Sequence, residues 1–205
     1  MRVAVAVVAF GLLAGQAQSA GLAKSGFIER VMTIKNTNAS GTETLKTYWE
    51  GDNMRMEQYG VGGLEVRIKK GSALYVYIPS QKKAVKTIVP PEYRQTVQQM
   101  LEEMSGPVKG GKKVGAAKVA GVNCNVYMVS EGGGSAKAYV SADSRLPTVL
   151  KMVTTMGSMT QTMETMQLKL NYNVPDTMFT IPKGVEVKEE KFPEIPKQPA
   201  AGSQK

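Results

Sequence analysis

From residue 27 onward the chain alternates apolar and polar residues in short runs broken by glycine, asparagine, aspartate and serine. That is the signature of strands joined by tight turns. Candidate strands lie at 27–34, 42–49, 54–59, 64–68, 74–78 and 85–89, and then at 122–129, 136–141, 146–153 and 159–172. In the fourth, Leu64, Val66 and Ile68 alternate with Glu65, Arg67 and Lys69. A period of two means that one face of the sheet is covered and the other wetted. About ten strands at hairpin spacing predict a mainly β (α+β) fold, one large antiparallel sheet that is strongly curved or nearly closed.

One segment has a different period. After Pro90-Pro91, residues Tyr93, Val97, Met100, Leu101 and Met104 form a single helical stripe, with Gln95, Gln98, Gln99, Glu102 and Glu103 mostly opposite. Pro91 suits a first helical position, Glu92 the positive end, and Gly106-Pro107 a stop, so a helix over 92–104 is predicted. The basic run Lys109-Gly110-Gly111-Lys112-Lys113 reads as a solvated linker. Beyond Val187 the chain carries Pro193, Pro196 and Pro199 with few large apolar groups, so 188–205 is expected to be a disordered tail.

The first twenty residues read as an address. Arg2 precedes an unbroken apolar run over 3–13, and Ala17 and Ser19 are spaced for signal peptidase. The run is too short to span a bilayer. A cleaved signal peptide at 1–20 places a single domain, 21–187, in the periplasm. The chain carries no histidine and a single cysteine, Cys124. Ser-His-Asp and Cys-His catalysis, His-ligated zinc and an intramolecular disulfide are therefore ruled out. Cys124 alternates in phase with Val122, Val126 and Met128, as an inert buried thiol does. Asp52, Asp143 and Asp176 each sit beside turn residues, where aspartate is expected in any case, so no carboxylate pair stands out for catalysis. No enzyme activity and no cofactor are expected. The formal charge of +9 survives cleavage almost intact and favours anionic membrane faces; export argues against nucleic acid.

Thirteen methionines are many for 205 residues. Met152, Met156, Met159, Met163 and Met166 fall within one stretch, and thioethers are soft ligands that suit Cu(I). If Gly157-Ser158 is a hairpin turn, however, the five sulfurs are expected to scatter over both sheet faces. The alternative is an adaptable apolar lining, because the unbranched polarizable side chain repacks around varied guests. Met54 and Met56 share a strand face, and Met100 and Met104 share the helical stripe. A sheet of this size has more apolar face than one helix can cover.

The run Tyr48-Trp49-Glu50-Gly51-Asp52-Asn53-Met54-Arg55-Met56-Glu57 resembles the W-x-G-D-x-M-R-M-E hairpin of periplasmic proteins related to the outer-membrane lipoprotein carrier LolA. Leu74-Tyr75-Val76-Tyr77-Ile78-Pro79-Ser80-Gln81-Lys82-Lys83 and Gly121-Val122-Asn123-Cys124-Asn125-Val126-Tyr127 are similar to two further strands of that superfamily. Leu146-Pro147 and Pro175-Asp176-Thr177-Met178-Phe179-Thr180-Ile181-Pro182 resemble its later motifs, in the same order. The resemblance implies a half-open antiparallel β-barrel around an apolar cavity, lidded by helices, that binds acyl chains. Two departures stand beside it: the carrier's long N-terminal helix has no counterpart, and its inward-facing arginine is matched to no position, since Arg55 alternates away from Met54 and Met56.

The expectation is a monomeric, non-enzymatic carrier of a lipid or acylated lipoprotein, meeting membrane surfaces and envelope transport proteins, with helix 92–104 as its lid. Its cavity lining is expected to be Trp49, Met54, Met56, Val66, Ile68, Leu74, Val76, Val97, Met100, Leu101 and Met104. The alternatives are a structural or stress-related envelope protein with a filled core, acting through protein partners, and a methionine-based Cu(I) binder.

Overall fold

A computed structural model describes residues 23–37, 39–103, 108, 111–131, 133–146 and 148–193. The expected signal segment 1–20 and Met104 lie outside them. Twelve strands form one sheet. A first meander runs through β1 (Ser25–Lys35), β2 (Ser40–Glu50), β3 (Asn53–Gly60), β4 (Gly63–Lys70), β5 (Ala73–Ile78) and β6 (Lys83–Ile88). The chain then passes through helix α1 (Val97–Glu103) to the opposite edge of the sheet. There a second meander begins: β7 (Lys112–Val119), β8 (Val122–Glu131), β9 (Gly134–Ser141), β10 (Val149–Met156) and β11 (Met159–Leu170). β11 zips antiparallel onto β1 and joins the two halves.

The strand order is β12-β6-β5-β4-β3-β2-β1-β11-β10-β9-β8-β7, so the curved sheet is open, with β7 and β12 (Glu186–Glu190) as its edges. Three expectations change accordingly. The described residues form twelve strands instead of about ten. One pair, β12 on β6, is parallel. The chain after Val187 also continues as strand through Glu190, and Phe192 stacks on Tyr93 with ring centroids 5.2 Å apart. β7 is also unforeseen, its valines and alanines interrupted by Gly115 and lysines, and β12 has a single apolar residue, Val187. They form because a neighbour offers an unpaired ladder, a tertiary effect that local propensity does not contain. The β7–β8 hairpin shows how its turn is made: Ala120 and Gly121 have φ of 47° and 80°, as a two-residue type I′ turn requires.

Cross-strand register divides the sheet into two faces with separate cores. On one face α1 contributes Val97 and Leu101 to a cluster with Ile28, Trp49, Met54 and Leu150. On the other, the segment between β11 and β12 lays Val174 and Phe179 over Val66, Ile68, Tyr77 and Ala84. Beside that second core, Arg55 bonds the Glu57 carboxylate at 2.7 Å and donates to the Met178 carbonyl at 3.1 Å, tying β3 to the covering segment.

Candidate functional site

The predicted helix over 92–104 is two elements. Residues Pro91–Tyr93 form a single 3-10 turn, and Arg94 is extended at φ −72° and ψ 128°. α1 begins afresh at a capping box: the Gln99 amide donates to Thr96 Oγ1, and the Thr96 amide donates to Gln99 Oε1. Asp52, in the β2–β3 turn, accepts from the Val97 amide at 3.3 Å and from Lys69 Nζ at 2.6 Å. A turn aspartate thus fixes the start of the helix against the sheet. The described residues of α1, Val97–Glu103, lie over one end of one face of the sheet.

Beneath α1 the interior is filled. Trp49 and Leu101 are fully buried, Val97 and Met54 nearly so. Trp49 stands over Gly26, its cross-strand partner, and its Nε1 donates to the Ala23 carbonyl at 2.9 Å. It is a structural keystone rather than part of an open lining. Met56 and Met100 are partly buried against the same cluster. Leu74 and Val76 share this face by register, opposite Lys69 and Arg67, and are half-buried. Val66 and Ile68 are corrected: they pair with Glu57 and Arg55 on the opposite face, beneath Phe179. Alternation in β4 marked an apolar row correctly, but it could not say which face that row belonged to.

Away from α1 the same face is rich in methionine, with Gln161 and Thr154 among the thioethers, and becomes accessible. Met32 on β1 lies directly opposite Met163 on β11, and Met163 lies opposite Met152 on β10. One step outward, Met156 and Met159 are paired. Register puts these five thioethers on the α1 face, contrary to the expected scatter. Met166 stands apart, passed over at a bulge where Glu29 faces Gln167 and Arg30 faces Thr165. Met32, Met152 and Met163 are half-buried, whereas Met156 is 58% exposed and Ile34, on the same face, 37% exposed. The result is a methionine-rich trough that runs from the packed cluster to the open end of the hairpins.

Between trough and cluster lies a polar floor. Arg30 is 1% exposed, and its Nη2 donates to Thr148 Oγ1 at 3.2 Å and the Val149 carbonyl at 3.4 Å. Burial lowers its pKa to about 10. On the same face the buried hydroxyls of Thr47 and Thr165 have no hydrogen-bond partner among the described residues. Sequence reasoning did not single out Arg30, yet the signal was present: it alternates in phase with Ile28, Met32 and Ile34, a charge within an apolar row. It is therefore an arginine on the α1 face, which was not expected.

A separate cleft of about 310 Å³ opens between Glu102, Asn125, Val140 and the turn over 141–144. Its walls include Asp143, whose carboxyl is held below the usual range by hydrogen bonding to Arg145. Cys124 is buried as expected, and burial raises its thiol pKa. Among the described residues no group of three Cys, Asp or Glu could hold a metal ion.

No protein-family profile matches the sequence, and no curated protein matches it significantly. Solved structures do match in shape. An uncharacterized conserved protein from Thermus thermophilus is similar at a TM-score of 0.52 and 10% identity, covering 82% of this chain and 91% of the other. MucB in the Pseudomonas aeruginosa MucA/MucB complex is similar at 0.45 and 12% identity, over 77% of this chain and 56% of that one. A domain described as an outer membrane lipoprotein-sorting protein from Vibrio parahaemolyticus is similar at 0.33 and 11% identity, over 76% and 88%. The first likeness concerns the fold alone, and the TM-scores of the other two are too low to carry an inference.

Proposed function

We propose that this chain is a non-enzymatic periplasmic carrier or binding protein that holds an acyl chain, from a lipid or an acylated lipoprotein, on the α1 face of its sheet. The observation that carries the reading is the half-covered face. Helix α1 closes the Trp49–Met54 end, and the methionine-rich trough of Met32, Met152, Met163, Met156 and Ile34 continues from it partly open. Methionine side chains conform to a flexible guest without a fixed shape of their own. Arg30, Thr47 and Thr165 supply polar groups where the carbonyl or charged end of an acyl chain would come to rest.

The energetics permit the helix to act as a lid. Moving it re-exposes Val97 and Leu101, at about 1.5–3 kcal/mol each, and the sheet residues beneath them, which the guest would cover instead. A guest that buries about ten methylenes gains about 0.8 kcal/mol for each and offsets that cost. The basic charge of the chain would favour encounter with anionic membrane faces.

Mass spectrometry of protein purified from its native envelope tests the proposal. The wild type should carry stoichiometric lipid, and Met152→Asp with Met163→Asp should lose it while circular dichroism stays unchanged. Lipid-free wild-type protein, or Asp variants that retain lipid at the wild-type level, would overturn the reading in favour of a filled-core protein acting through protein partners.

A further inference from the structure

The trough has a chemistry that acyl binding does not use. Met32, Met163 and Met152 occupy directly opposed positions on three adjacent strands. Cross-strand neighbours place their Cβ atoms about 5 Å apart. A thioether sulfur lies two bonds beyond Cβ, so the outer sulfurs can lean inward over Met163 and meet its own. Met32 already points along this face, since its sulfur accepts a contact from Gln161 Nε2 at 2.9 Å. All three side chains are half-buried, which leaves them reachable from solvent yet partly shielded from it.

We propose that Met32, Met152 and Met163 form a binding site for a soft monovalent cation, Cu(I) or its analogue Ag(I). Three neutral thioethers, with no charged donor among the three, select a soft d10 ion against Zn(II) or Mg(II). The sequence offers such an ion little else: it has no histidine, and Cys124 is buried with its thiol pKa raised by desolvation. Binding releases no proton, because a thioether has none to lose. The affinity of the site is therefore flat with pH, whereas a thiol site would weaken as pH falls. This proposal is independent of the acyl-carrier reading, because it needs the sulfur atoms and the carrier needs only their apolar surface.

The experiment is anaerobic titration of the lipid-free full chain with Cu(I), in competition with a chromogenic bicinchoninate chelator between pH 5 and 8. We expect one equivalent withdrawn from the chelator, an affinity unchanged across that range, and no competition from Zn(II). Met163→Leu should weaken Cu(I) binding at least tenfold while keeping the fold, read by circular dichroism; Met166→Leu and Cys124→Ala should bind like the wild type. The proposal is overturned if the chelator keeps all the copper, if Met163→Leu binds as tightly as the wild type, or if binding disappears in Cys124→Ala.

Discussion

Gly26 and Trp49 face each other across β1 and β2, and their contact leaves no room for a side chain. A Cβ on residue 26 would lie 2.1 Å from Trp49 Cζ2 and 2.3 Å from Cη2. Ordinary contact requires the ring to retreat by about 1.3 Å. The indole is fully buried between strand and helix, so it has nowhere to go without disturbing Val97, Leu101 or the bond to Ala23. Overpacking of this kind costs about 1–3 kcal/mol, and losing the indole hydrogen bond adds about 1 kcal/mol. Replacing a strand glycine returns at most about 0.5–1 kcal/mol of backbone entropy. Gly26→Ala should therefore destabilise the fold by about 2–3 kcal/mol, read from urea unfolding by far-ultraviolet circular dichroism and by the emission of Trp49, the only tryptophan. In a Trp49→Leu background the obstacle is gone, and the same Gly26→Ala change should be neutral or slightly stabilising. The cycle isolates the steric term from every other consequence of either substitution. A cost below about 0.5 kcal/mol in the wild type, or an equal cost in both backgrounds, would refute the reasoning.

Further outcomes follow from the same geometry. Thr96→Ala removes half of the capping box and should weaken α1 by about 1 kcal/mol, so hydrogen exchange at the Met100 and Leu101 amides should quicken about fivefold. Burial and a 2.8 Å bond from its hydroxyl to Glu57 raise the pKa of Tyr59 to about 12. The folded state then holds this proton more tightly than the unfolded chain, so its stabilising contribution is complete below pH 10 and lost as pH rises toward 12. Burial also raises Tyr48, so an ultraviolet phenolate titration should show more than one late tyrosine, and Tyr59→Phe should remove one of them. Phe179→Ala should cost about 3–5 kcal/mol, because the ring is buried against Val66, Ile68 and Tyr77. It should also raise exchange along β12, whose link to β11 is the segment that carries this ring; unchanged β12 protection would separate the two.

Much of the strand framework is legible in the sequence because burial on one face imposes a period of two. The helical stripe of Val97, Met100 and Leu101 is legible for the same reason at a period of 3.6. Its start differs from the expectation, since Pro91 and Glu92 satisfy the local rules for a first turn while the Thr96–Gln99 capping box satisfies them better. β7 and β12 are hidden from sequence reasoning because their residues have little intrinsic strand preference and gain it from β8 and β6. For the site, alternation finds the apolar rows correctly, but their assignment to faces fails twice. Val66 and Ile68 do not lie beside Met54 and Met56, and the later methionines do not scatter, because register gathers four of the five with Met32.

Neighbours along the chain suffice for the alternation, the turns and the amphipathic stripe, and composition suffices for the lack of any histidine or second thiol. The folded arrangement decided which rows meet. Parity within one strand says that two residues share a side, but only hydrogen-bonded register between strands, including the bulge at Glu29 and Arg30, says which side is shared with the next. That is why the methionine trough emerges only once β1 is laid against β11, and the split between the two cores only once β3 is laid against β4.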